Sequence, residues 1–160
     1  MPAMVELGPS QASLKVHTAR EGVAAKIGHD LEIEVADWSA TYGEDGFELT
    51  ADAGSLRIVD GHGGAKPLSD GDRKKISKNI DNDILGGGTI HFKTTAPGQG
   101  DLTLNNVTKP VPFVLDVAGG KLAGEATVKQ TDFGVKPYTG FLGALKVADE
   151  VRITVDGNLP

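Results

Sequence analysis

The chain has no cysteine. That excludes disulfides, thiolate metal centres and a cysteine nucleophile, and it leaves the redox compartment open. Basic residues are in the minority, with a net charge of −6. An electrostatic grip on nucleic acid or on an anionic membrane surface is therefore not expected. No apolar run approaches the roughly 20 residues that a membrane-spanning helix needs. The N-terminus, MPAMVELGPSQASLKV, has neither a basic start nor an apolar core and does not read as a signal peptide. The expected location is cytoplasmic. Aromatic residues make up 5%, so any apolar lining is expected to be mainly aliphatic.

What is present is turn and strand. The 22 glycines are dispersed, and no repeat, linker or low-complexity tract divides the chain. At 160 residues it is read as a single domain, 1–160, with a real core. The most informative stretch is Gly100–Val117, GDLTLNNVTKPVPFVLDV. It reads as a strand, an asparagine turn and a second strand. The second strand carries Val111, Phe113, Leu115 and Val117 on one face, the period-two alternation of a half-buried strand. Pro110 and Pro112 fall on the other face. Backbone N–H groups two residues apart point to the same neighbour, so both prolines remove donors on one side. That side is expected at a mouth, a bulge or an open edge.

Further strands are expected at Ser13–Thr18, Leu31–Tyr42, Phe47–Asp60, Thr89–Thr95, Lys121–Phe133 and Glu150–Asn158. In Leu31–Tyr42 the large residues change parity, from Leu31, Ile33 and Val35 to Trp38 and Tyr42. The shift predicts a bulge or sharp bend near Ala36–Asp37. Glu21–Ile27 reads as one helical turn or a bend, Gly61–Pro67 as a glycine-rich loop, and Phe141–Leu145 as a short apolar patch. Ser69–Leu85 is the one convincing helix, with Ile76, Ile80 and Ile84 in a narrow stripe and Gly86–Gly88 ending it. The total is about eight strands, with one α-helix inserted between strands three and four. Short turns make neighbouring strands antiparallel. The fold class is mainly β: an eight-stranded antiparallel barrel, with a two-sheet sandwich as the alternative that periodicity does not separate from it.

The hairpin resembles the signature of the YceI-like family, the lipocalin-like polyisoprenoid-binding proteins. The resemblance continues through Ala25–Leu31 (AKIGHDL), Ile84–Phe92, Gln130–Lys136 (QTDFGVK) and Asp149–Asp156 (DEVRITVD), and spans roughly residues 13 to 157. It implies an eight-stranded, lipocalin-like β-barrel with a helix packed at one side. The barrel would hold a long apolar molecule such as a polyisoprenoid, an isoprenoid quinone or a fatty-acid derivative. That molecule is the expected partner, a bound lipid rather than a cofactor. Some members form dimers, so a homodimer is within what the resemblance allows.

The residues assigned to ligand binding are His29, Leu31, Ile33, Phe92, Val111, Phe113, Leu115, Val117 and Phe133. Each apolar member is equally a core residue by default. His29, in Gly28-His29-Asp30, either donates to a ligand head group or ties down its own turn. Phe133 is placed to close one end of the barrel. His62 with Asp60 falls short of a metal set, and the serines lack a nucleophile-elbow setting. No catalytic or metal residue is assigned. Binding, transport or sequestration of a lipid is the leading expectation. The alternatives are an enzyme acting on a small apolar substrate in the same barrel, dependent on His29 or a nearby carboxylate, and a stress-related interaction module with a filled barrel.

Overall fold

The computed structural model describes residues 5–21, 30–43, 46–62, 74, 88–135, 139–140 and 145–158. Its strands, in chain order, are β1 (Val5–Leu7), β2 (Ala12–His17), β3 (Arg20–Glu21), β4 (Asp30–Val35), β5 (Trp38–Gly43), β6 (Gly46–Asp52), β7 (Leu56–His62), β8 (Thr89–Ala96), β9 (Gln99–Leu104), β10 (Val107–Pro112), β11 (Val114–Ala118), β12 (Lys121–Lys129), β13 (Thr139–Gly140), β14 (Leu145–Val147) and β15 (Glu150–Asn158). Twelve of them form two six-stranded sheets, ordered β1-β5-β6-β8-β9-β10 and β11-β12-β15-β2-β4-β7. The short strands β13, β14 and β3 make a third sheet. All the pairings are antiparallel.

The count differs from eight for a physical reason. Three of the expected strands turn a corner and pass from one sheet to the other. Leu31–Tyr42 divides into β4 and β5 at Ala36–Asp37, where the parity shift predicts a bend. Phe47–Asp60 divides into β6 and β7 at a single 3-10 turn, Ala53–Ser55. The strand after the asparagine turn divides into β10 and β11 at Phe113. The remaining addition to the two large sheets is β1, on the outer edge of β5. The expected helix Ser69–Leu85 lies outside the described residues except for Lys74, as does the Glu21–Ile27 bend beyond Glu21. The loop Gly61–Pro67 and the patch Phe141–Leu145 lie mostly outside them too.

Two hairpins set the register of the region that matters most. Asn105 and Asn106 both have positive φ, 54° and 60°, the conformation that a two-residue turn matched to strand twist requires. Leu104 therefore faces Val107, and the ladder runs back to Gln99 opposite Pro112. Gly119 and Gly120 make the equivalent turn between β11 and β12, with φ of 58° and 77°. It places Ala118 opposite Lys121 and Val114 opposite Glu125.

The core lies between the two large sheets. One cluster joins Leu7, Trp38, Ala40, Phe47 and Leu49 of the first sheet to Leu14, Ile33, Val35, Leu122 and Val155 of the second. A second joins Leu102 and Val111 to Val128 and Val151, around Phe133 and Val135. Phe133 is almost fully buried, at 1% exposure. Its turn, Gln130–Phe133, is tied at both ends. The Asp149 carboxylate accepts from the Thr131 N–H at 2.8 Å and from its hydroxyl at 2.6 Å. The Asn105 amide donates to the Phe133 carbonyl at 3.1 Å.

Candidate functional site

A cavity of about 120 Å³ lies between the sheets. Leu14 and Val16 of β2, Leu49 and Ala51 of β6, Ile90 of β8, Leu102 of β9 and Ile153 and Val155 of β15 contribute aliphatic wall. Strand alternation aims each of these side chains inward and sends its neighbours to solvent. Three of the five phenylalanines, Phe47, Phe92 and Phe113, complete the wall. Phe92 meets Phe113 edge-to-face at 5.2 Å and Phe47 at 6.3 Å. An edge-to-face pair suits the ring quadrupoles and fixes both rings. The lining is thus more aromatic than composition suggests, because so many of the few aromatics converge here. Gly100 makes this possible: a Cβ there would overlap the Phe92 ring.

The space itself comes from small residues on β12. Its inward positions read Leu122, Gly124, Ala126 and Val128, large at the ends and small in the middle. A Cβ on Gly124 would sit 2.8 Å from Val155 and 3.2 Å from Leu115. Sequence reasoning missed this. The signal was available, as a pair of small residues at alternate positions between two large ones leaves a gap in a wall.

Of the residues assigned from sequence, Phe92, Val111, Phe113 and Leu115 line the cavity together. Ile33 is buried in the neighbouring core, and Leu31 packs against it half-buried. Phe133 is buried in the second cluster. Val117 is 39% exposed, unlike the expectation that it shares the inner wall. It is near the end of β11, the outermost strand of its sheet, where no neighbour covers it. His29 lies outside the described residues.

Glu125 is the one charged residue among the described residues that line the cavity. Its side chain is half exposed and bridges outward to Arg152 at 3.4 Å. The interior is therefore apolar, and an ionised group seated there would lose its hydration without a partner. Among the described residues no three histidine or carboxylate side chains gather as a metal set. The polar chemistry sits on outer faces: His17 bonds Thr154 at 3.0 Å, His91 bonds Glu48 at 2.8 Å, and Lys15 bridges Glu32 at 3.3 Å. The pKa of His17 is lowered, first by burial and then by the Arg152 charge. That of Asp149 is lowered by its bonds to the Thr131 hydroxyl and N–H. No described helix is long and apolar enough to cross a membrane.

These features define a β protein built around an apolar cavity, with His17 and His91 turned away from it. The YceI-like domain matches residues 10–159, and the chain belongs to the YceI-like family, whose members bind polyisoprenoid or lipid ligands and are generally not catalytic. The crystal structure of BcnA from Burkholderia cenocepacia is similar in fold, with a TM-score of 0.55 at 17% identity, over 91% of this chain and 94% of that one. No curated protein matches the sequence.

Proposed function

We propose that this chain binds the apolar tail of a long lipid, a polyisoprenoid, isoprenoid quinone or fatty-acid derivative, and carries or sequesters it without catalysis. The observation that carries the reading is the cavity wall, which is apolar throughout its inward side chains and includes Phe92, Val111, Phe113 and Leu115. Each methylene buried there contributes about 0.8 kcal/mol, and no charged anchor is required. A volume near 120 Å³ is on the scale of a space that holds one small apolar group. A longer tail fills it with one segment and extends beyond it, or displaces wall side chains.

The strand pairing supports a barrel as the container. Take β4 with β5, β6 with β7, and β10 with β11 as single bent strands. The ladders then run β2 to β4, β4 with β5 to β7 with β6, β6 to β8, β8 to β9, β9 to β10, β11 to β12, β12 to β15 and β15 back to β2. Taken so, the order of pairing fits a ring of eight, the number whose interior holds side chains or one slender ligand.

Native mass spectrometry and organic extraction of the purified protein test the reading. The expected result is a co-purified long-chain apolar molecule, or uptake of one added from detergent. A protein that neither retains nor takes up any such molecule refutes it.

A further inference from the structure

Among the described residues, β10 and β12 lie side by side without a ladder. On β10 the pairs alternate outward from the asparagine turn, so Pro110 and Pro112 fall opposite Asp101 and Gln99 at positions that do not bond to β9. Their nitrogens therefore point away from β9, toward β12. The odd-numbered residues point to β9, and the Phe113 N–H donates to Gly98 O at 3.0 Å. On β11 the even-numbered residues bond to β12, ending with Val114 opposite Glu125. Continuing that register by one strand-length puts Pro112 opposite Thr127, Val111 opposite Val128 and Pro110 opposite Lys129. The prolines occupy the two positions whose N–H groups would extend the β11–β12 ladder. Neither can donate, and no ladder joins β10 to β12.

This seam borders the cavity. Val111 and Phe113 line the cavity on one side of it, and Ala126 and Val128 on the other. Glu125, at the last bonded pair beside the seam, lines the cavity while half exposed, so the cavity approaches solvent there. Just outside stands Val114, an exposed apolar side chain at 63%. Other wall strands are joined by ladders, β12 to β15, β15 to β2, β6 to β8 and, with a register shift between Thr94 and Ala96, β8 to β9.

We propose that a lipid tail passes into the cavity sideways, through the seam between β10 and β12, which Pro110 and Pro112 keep unzipped. The proposal rests on the lipid-binding reading above. Parting two strands costs the bonds between them, and here two of those bonds cannot form. An elongated tail lying along the seam enters as a line rather than being threaded end-on. The same seam lets a tail longer than the cavity protrude.

The test closes the seam and times exchange. Val111→Cys with Val128→Cys pairs two buried side chains that pack in one core cluster across the seam, and a disulfide between them ties β10 to β12. The chain has no other cysteine, so the reduced form is its own control. A dansyl-labelled fatty acid is the probe, read by stopped-flow fluorescence for association and by competition for release. Oxidation should slow both at least about tenfold, a barrier increase of about 1.4 kcal/mol, and reduction should restore them. Pro110→Val with Pro112→Val, which returns the two donors, should slow them in the same direction without a thiol. Exchange unchanged by oxidation and by the proline replacements overturns the proposal and leaves lipid binding standing. Absence of probe binding by the unaltered protein instead refutes the functional reading.

Discussion

Two strand corners in this molecule do the same geometric job with opposite bonding. At Ala36–Asp37 the bent strand is pinned. Ala36 N–H donates to Ser55 O and Asp52 N–H to Asp37 O, both at 2.9 Å. The Ser55 hydroxyl accepts from the Asp37 N–H at 3.0 Å and donates to Asp52 O at 2.7 Å. The Asp52 carboxylate caps the turn through Gly54 N–H at 2.8 Å. At Phe113 the neighbouring strand does not turn alongside, and prolines stand at 110 and 112. Phe113 N–H alone is tied back, to Gly98. The first corner pairs its backbone groups with one another and with the Ser55 and Asp52 side chains. The second gives up bonds along one side, beside a cavity. Of these two corners, the one that gives up pairing is the one where the cavity approaches the surface.

The sharpest way to break this comparison is at the second corner's inner wall. Leu115→Arg should abolish uptake of an apolar ligand, because the cavity offers its charge no partner. Val117→Arg, two residues along and exposed, should leave uptake unchanged in the same fluorescence titration. Equal effects would dissolve the distinction between inward and outward faces of β11. At the first corner, Ser55→Ala removes a buried hydroxyl and strands the Asp37 N–H. It should cost about 2 kcal/mol in denaturant unfolding without altering ligand affinity.

Asp149→Asn probes the turn that holds Phe133 against Val111. The loss should be about 1 kcal/mol, typical of a capping carboxylate. The sign with pH follows from the lowered Asp149 pKa: the contribution is present above the ordinary value of 3.8 and disappears as pH falls through the lower folded value. The smallest effect is expected at His17. Its folded pKa lies below the ordinary 6.5, so the unfolded chain takes up the proton first. Stability should decline as pH drops below 6.5 and level off once the folded histidine also protonates. His17→Gln should flatten that part of the pH profile, measured by thermal unfolding.

Local signals were readable in the chain. The alternation of Val111, Phe113 and Leu115 put three side chains on one strand face, all of which line the cavity, and the parity change after Val35 marked the first corner. Pro110 and Pro112 declared a strand with donors missing on one side. The second corner carried no parity change, since odd and even residues keep their sides from Val107 to Ala118, so periodicity did not announce it. Val117 broke the pattern for a related reason: it has the parity of the wall but no strand beyond it. The cavity was legible in part, through Gly124 and Ala126, whose smallness has meaning only against Leu115 and Val155 across the gap.

The division has one physical origin. Which side of a strand is apolar, where a two-residue turn falls and which nitrogens lack a proton are properties of a few adjacent residues, and the order of amino acids settles them outright. Which strand those nitrogens face, whether an apolar face meets core, cavity or solvent, and how three phenylalanines from 47, 92 and 113 come to share one wall are contacts between distant segments. Those depend on how the two sheets close over each other, and they took shape only in the folded chain.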